Sequence, residues 1–430
     1  MENDCSANHL PFLLQPSTRQ VWVQASGRLL YQAGYGSIQF FIPLIFVNHV
    51  GLSATAVGIG MGSGSLAGII GHFLGGYLTD SQTYGRKRTL LLSAGLSIPS
   101  AAVLALTQKL PLLVIANLIM GLSAGCYWTA ADAAVMDVTA PEQRHKAFAL
   151  MVLADSLGAG LGILGGGILL PLLDQAQMLF LVGSLILLLF MILIQVAIPE
   201  NRPENLGYSD TLQGFAVALK DRSLRLFVLV NVLFTTYIAL VNSILPLYFT
   251  DIVTTSAAAT TEQGASVASV ANLFTWCYVG FGAILQLPLV QVLGSLLRVK
   301  VLLISMLLWG AGFFLVWVSG VMTSSQVICI IASLCVLSIA TAIYKPFAPA
   351  IVAELAPESL RGVYLAISYQ CWSIGYFVGP VLGGWAMDRS RTIAHNSWIA
   401  ASTSTISGLI ILYLLSQRKV SNPSVLITDG

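Results

Sequence analysis

Residues 176–198 read AQMLFLVGSLILLLFMILIQVAI, with Asp174 before them, Glu200 after them and no charged side chain between. About 20 mostly apolar residues in a helix suffice to cross the ~30 Å hydrocarbon core of a bilayer, so this stretch is long enough to span a membrane. The rest of the chain has the same character. Apolar residues make up 56% of the 430, charged residues only 9%, and the mean hydropathy is +0.83. A soluble domain carries roughly a quarter charged residues, so most of this chain faces something other than water. It is an integral membrane protein. The net charge of +2 gives no reason to expect nucleic acid as a partner.

Working outward from 176–198, apolar runs bounded by charged or turn residues give about twelve spans. In the first half they lie near 20–49, 54–79, 89–108, 112–138, 145–171 and 176–198; in the second, near 225–250, 266–293, 300–320, 326–353, 363–388 and 396–416. The fold class expected is an all-α polytopic membrane protein of two pseudo-symmetric six-helix bundles, 20–198 and 225–416. Residues 1–19 and 417–430 are expected as cytoplasmic tails. The segment 199–224 is expected as a cytoplasmic linker, with an amphipathic stretch through Gly214–Lys220 lying along the membrane surface. With both termini inside, fifteen of the 20 Lys and Arg fall in cytoplasmic segments and three in outer loops, which leaves Arg28 and Lys345 within spans. Residues 1–19 lack the basic start and compact apolar run of a cleaved signal peptide. Of the six cysteines all but Cys5 fall in apolar stretches without metal-ligand spacing, and they read as core packers.

The halves repeat. Pro43 in Ile42-Pro43-Leu44 matches Pro246 in Leu245-Pro246-Leu247, an offset of 203, and Pro141 in Ala140-Pro141-Glu142 matches Pro357 in Ala356-Pro357-Glu358, an offset of 216. Gly162-Ile163-Leu164-Gly165-Gly166 echoes Gly379-Pro380-Val381-Leu382-Gly383-Gly384. A duplication of six spans is the sequence form of an alternating-access transporter with a central site between two halves.

Gly76-Tyr77-Leu78-Thr79-Asp80, followed after a spacer by Gly85-Arg86-Lys87-Arg88, resembles the signature between the second and third helices of the major facilitator superfamily. The spacer Ser81–Tyr84 is about two residues longer than the family's usual one. The resemblance implies that this cluster clasps the halves on the cytoplasmic side and releases for the inward-open state. It also implies acid–arginine pairs at the cytoplasmic ends of spans four and ten, Asp137 with Arg144 and Glu354 with Arg361. Gly379-Pro380-Val381-Leu382-Gly383-Gly384 fits a form that antiporters of the family carry in span five, and Asp155-Ser156-Leu157-Gly158-Ala159 looks nearest to bacterial drug-exporter-like members. An arginine often found early in span four is here Asn117.

Charged side chains inside spans cost roughly 2.5–3.5 kcal/mol each on insertion scales and so call for a reason. Arg28, Asp132, Asp155 and Lys345 stand out as proton-coupling or substrate residues, all in the cytoplasmic half or near the midplane. Arg28 and Lys345 are expected either to hold an anionic substrate group or to neutralise the two acids. The resemblance implies that spans one, four, seven and ten line the central cavity. Tyr127, Tyr237, Asn242 and Tyr344 are further cavity candidates, with Tyr127 and Tyr344 at equivalent places in the repeat. Gly158, Gly162, Gly165 and Gly166, and Gly379, Gly383 and Gly384 beside Pro380, are expected to let helices approach closely. No phosphate-binding loop and no histidine cluster appears, so the reading is of a transporter and not an enzyme, with no cofactor or metal. The function expected is proton-coupled efflux of amphipathic or drug-like small molecules by a monomer in a bacterial inner (plasma) membrane. Uptake of an anionic metabolite and a non-transporting receptor are the alternatives.

Overall fold

In the computed structural model the described residues are 16–81, 83–139, 143–199, 217–256, 263–322, 325–357 and 360–421. They form twelve helices and, among the described residues, no strand. These are α1 Pro16–Asn48, α2 Ala54–Asp80, α3 Gly85–Leu106, α4 Leu110–Asp137, α5 Arg144–Leu169 and α6 Leu179–Ala197, then α7 Arg222–Ser256. α8 runs through Gln263–Leu273, a π-helical turn Phe274–Gly280 and Phe281–Leu293, and is followed by α9 Arg298–Val321, α10 Gln326–Leu355, α11 Arg361–Met387 and α12 Arg391–Ser421. Each expected span has its helix. Eleven are long and apolar enough to cross a membrane; α11, which carries Tyr364, Tyr369, Gln370, Trp372 and Tyr376, falls short in hydropathy though not in length. The linker expected at 199–224 falls largely outside the described residues, as do most of the two tails.

Helix ends show why the chain turns where it does. α1 closes on Gly51, whose φ of +81° favours glycine, with the N–H groups of His49 and Val50 both donating to the Ile45 carbonyl. Gly85, at φ +74°, makes the corresponding sharp entry to α3. The four N–H groups that open α2 all find acceptors. Ala54 and Thr55 each donate to the Asp388 carboxylate at 2.7 Å, Ala56 to the Ser53 hydroxyl at 3.1 Å and Val57 to the Ser53 carbonyl at 3.0 Å. Asp388 is separated from α2 by over three hundred residues of chain, and no local pattern announces its role.

The described chain divides into two compact units: Pro16–Phe41 with Leu66–Pro199, and Ile42–Ser65 with the residues from Val217 onward. In the first, α3 packs on α4 and α6, and α5 packs on α1. The α1–α5 contact is made by glycine. A Cβ at Gly158 would run into the Leu29 carbonyl oxygen, one at Gly162 into that of Ala33, and one at Gly166 into the Phe41 ring. In the second unit, α9 packs on α10 and α12, and α7 on α11 and α12. There a Cβ at Gly375 would strike Thr235, one at Gly379 Ala239 and one at Gly383 Ile244. The two glycine rows stand at matching places in the repeat and do the same work, bringing backbones close enough for small-residue packing. Gly384 abuts the Ala54 backbone. Gly165 was expected in this group and does not belong: nothing lies within 4 Å of where its Cβ would stand, since it sits on a different face of α5 from its neighbours in the row.

Candidate functional site

Three of the four intramembrane charges meet in the first unit. Arg28 of α1 places Nη1 2.9 Å from Oδ2 of Asp155 on α5 and pairs through Nη2 with Oδ1 of Asp132 on α4. The guanidinium is 6% exposed, the Asp155 side chain 16% and the Asp132 side chain 36%, so the cluster is dry on one side and open on the other. At 1.5 Å per residue, Asp155 lies ~16 Å from the start of α5 and Arg28 ~18 Å from the start of α1, well inside their spans. Trp128 covers the cation, with the guanidinium carbon 5.3 Å from its ring centre, a contact worth roughly 0.5–2 kcal/mol. Tyr31 and Tyr127 stack beside it with ring centres 3.4 Å apart. Val21, Ala25, Val135, Ala147, Met151 and Ala154 pack the same three helices together and seal the cluster toward the start of α1.

Counted by themselves, the one guanidinium and two carboxylates carry a formal charge of −1. Arg28 has a rigid fork of donors and remains ionised, so it can hold both acids at once.

A second ion cluster ties together the ends of α2, α3 and α4. Arg86 lies 3.6 Å from Asp80 and 2.8 Å from Asp137, and donates to the Thr79 carbonyl at 2.7 Å. Asp137 thus takes Arg86 as its partner, not Arg144 as expected: Arg86, one residue past the Gly85 turn, projects back beneath α4, whereas Arg144 opens α5 exposed to solvent. Lys87 donates to the Gln195 carbonyl at the end of α6. Gly76 has open space around its missing Cβ, so close packing does not explain it.

The chain matches the Major Facilitator Superfamily model over residues 25–259 and 247–427. It belongs to that superfamily. Among its relatives are the uncharacterized MFS-type transporter YttB of Bacillus subtilis strain 168, 24% identical over 80% of this chain and 82% of YttB. Another is the multidrug resistance protein MdtH of Photorhabdus laumondii, 25% identical over 92% of this chain and 94% of MdtH. Solved structures with the same fold include the nucleoside transporter NupG, with TM-score 0.76, 11% identity and coverage of 92% of this chain and 98% of NupG. A POT family transporter in complex with 5-aminolevulinic acid aligns with TM-score 0.77, 13% identity and coverage of 93% and 96%. The protein is therefore an all-α membrane transporter, and a small molecule is its cargo.

In the second unit this major facilitator replaces the charged cluster by a neutral one. Tyr344 donates to Asn231 at 2.5 Å, and Asn231 donates to the Ser368 hydroxyl at 3.2 Å. Phe234 stacks on Tyr344 with ring centres 4.6 Å apart, as Tyr31 stacks on Tyr127. Lys345, on the second unit, is exposed and lines a cleft between α10 and α11. Three of the cavity candidates are fully packed: Tyr127 and Tyr344 are each 1% exposed, and Tyr237 is buried against Trp309 with its hydroxyl 2.7 Å from Ser404. Asn242 donates to the Tyr376 hydroxyl at 2.9 Å. Asn117 is buried and donates to the Leu113 carbonyl within its own helix. Glu354 pairs with Arg298 at 2.5 Å; the side chain of Arg361, its expected partner, lies outside the described residues.

Residues that escaped the sequence reading include Tyr31, Asn231, Trp372 and Asp388. A signal existed for one of them: Asn231 follows Arg28 by the 203-residue offset of the repeat.

Proposed function

We propose that this transporter exports amphipathic, drug-like compounds in exchange for protons, and that Arg28, Asp132 and Asp155 are the coupling site. The observation that carries the reading is the single buried guanidinium shared by two carboxylates. With no added proton the cluster is −1; with one it is neutral, and Arg28 then needs to hold only the acid that stays ionised. Proton loading thereby changes which helix, α4 or α5, Arg28 ties to α1, and that is a means of biasing one conformer over another. The names of the MdtH relatives support a drug-like cargo. Arg28 is outnumbered by acids, so it is a poor ligand for an anionic substrate, and the uptake reading loses half of its proposed anion site.

The scaffold in this proposal is two six-helix halves, 20–198 and 225–416, rocking about the central site, with both termini cytoplasmic in a bacterial inner membrane and the protein acting as a monomer. The Arg86–Asp80–Asp137 cluster then belongs to the cytoplasmic gate, with Gly85, Lys87, Arg144, Glu354 and Arg361 at the same face. Transport measured across pH in Asp155→Asn and Asp132→Asn tests the coupling role. At least one substitution is expected to flatten the pH dependence; unchanged pH dependence in both removes the proton from the mechanism.

A further inference from the structure

Two of the cysteines that read as core packers meet across a helix interface of the second unit. Cys126 and Cys371 do behave as packers: both are buried, and their thiols donate to the Gly71 and Ile367 carbonyls at 3.5 Å. Cys277 of α8 and Cys335 of α10 are different. Each is a free thiol, partly exposed, and the two side chains are in contact with each other. They stand 58 residues apart on separate helices, so spacing in the sequence gives no sign of the pair.

The contact follows from how closely the two helices cross. Ser338 of α10 donates to the Tyr278 carbonyl of α8 at 2.6 Å, and the Tyr278 hydroxyl lies 3.1 Å from that of Thr341. Gly282 permits the approach: a Cβ there would stand 2.6 Å from the Ser338 hydroxyl oxygen. Cys335 lies three residues before Ser338, on the same face of α10. Cys277 directly precedes Tyr278 inside the π-helical turn Phe274–Gly280, a kind of turn that gathers at functional sites. A disulfide needs Cα atoms about 4.4–6.8 Å apart, a spacing that between helices requires such a close crossing. Both thiols also lie deep in their helices, Cys277 ~21 Å from the start of α8 and Cys335 ~14 Å from the start of α10. An oxidant that dissolves in an apolar phase is the kind that reaches them there.

We propose that Cys277 and Cys335 form a redox modification site, a dithiol that an apolar hydroperoxide closes to a disulfide tying α8 to α10. One sulfur, as thiolate, attacks the terminal peroxide oxygen; the O–O bond breaks, the alcohol leaves and a sulfenic acid forms. The second sulfur attacks the first, the S–S bond forms and water leaves. In sum two thiols and one hydroperoxide give one disulfide, one alcohol and one water, with sulfur oxidised and the peroxide reduced. The neighbouring thiol makes the second step intramolecular, which stops the first sulfur short of irreversible oxidation, and a reducing thiol reopens the bond by exchange. This site is independent of the proton reading, since it uses none of Arg28, Asp132 or Asp155.

Exposing the purified full chain in saturated phosphatidylcholine nanodiscs to excess cumene hydroperoxide tests it. The chain is then denatured in SDS and its free thiols are counted by the mass added on reaction with a maleimide-linked polyethylene glycol. Wild type is expected to fall from six reactive thiols to four and to return to six with dithiothreitol. Cys277→Ser and Cys335→Ser are each expected to keep all of their remaining thiols, whereas Cys126→Ser still loses two. Peptide mapping of oxidised wild type, which depends on no variant, is expected to show Cys277 linked to Cys335 with the loss of two hydrogens. Wild type that keeps six thiols in excess oxidant overturns the site, as does a Cys277→Ser chain that still loses two, or a disulfide that joins either cysteine to a different partner.

Discussion

Replacing Arg28 by leucine is expected to damage the protein far more than removing either of its acidic partners. At 2.9 Å and an effective dielectric near 20, Arg28 and Asp155 attract by roughly 6 kcal/mol before desolvation is counted. Most of that attraction offsets the cost of holding the ions away from water, so the pair's net worth is small while the loss of one partner is not. Arg28→Leu leaves Asp132 and Asp155 without their cation, and a buried pair broken in this way costs about 3–5 kcal/mol. Asp155→Asn is milder, because the amide oxygen still accepts from Nη1 and Arg28 keeps Asp132. The change from a charged to a neutral acceptor costs about 1 kcal/mol. A triple variant, Arg28→Met with Asp132→Asn and Asp155→Asn, removes every charge and is expected to sit within about 2 kcal/mol of wild type, because an ion cluster exchanged whole for neutral groups leaves no charge stranded. Thermal unfolding in a mild detergent ranks the variants: wild type, then Asp155→Asn and the triple variant close below, then Arg28→Leu well beneath. If Arg28→Leu unfolds no earlier than Asp155→Asn, the guanidinium is not the hub of the cluster and the reasoning fails.

Other perturbations follow from the same structure. Gly162→Ala drives a methyl into the Ala33 carbonyl and is expected to cost about 1–3 kcal/mol by overpacking, whereas Gly165→Ala meets open space and is expected to leave the melting midpoint unchanged. Arg86→Ala strips the partner from Asp80, Asp137 and the Thr79 carbonyl and is expected to lower stability by about 2 kcal/mol, while Lys87→Ala, whose bond to Gln195 is exposed, stays within about 0.5 kcal/mol; both are read by the same melts. Asp388→Ala removes a double acceptor from the start of α2, a loss of about 1 kcal/mol on the scale of helix caps. Partial burial acts to raise the Asp388 carboxyl, but bonds from Thr55, Ala54 and Ser53 outweigh it and hold the group below its ordinary value of 3.8. Its contribution is therefore present at neutral pH and fades as the pH falls below that value, so the gap between wild type and Asp388→Ala closes in acid.

The spans were legible because a bilayer imposes a length and a composition that few other environments demand. Position along the helix was legible too: counting residues placed Arg28 and Asp155 well inside their helices and Asp132 nearer the end of its own. What counting cannot supply is the direction each side chain takes around its helix. Arg28 and Lys345 read alike in the sequence, and only the structure shows that Arg28 holds both acids of its own unit at once. The same limit explains Asp137, whose neighbour in sequence, Arg144, lost to Arg86 across a turn. Gly158 and Gly162 were readable as packing positions through their spacing of one helical turn, and Gly165 was misread because it breaks that spacing. Asp388 shows the opposite case, a contact made over a chain separation that no local pattern encodes.

In the mechanism proposed above, a proton gradient drives export through the Arg28 cluster. Accumulation of a panel of amphipathic dyes in cells expressing the transporter, with and without a protonophore, tests it most directly. Wild type is expected to lower accumulation of at least one dye, the protonophore to abolish that difference, and Asp155→Asn to lack the protonophore-sensitive part. Accumulation that falls equally with the gradient collapsed, or a protonophore-sensitive export that Asp155→Asn and Asp132→Asn both retain in full, contradicts the account.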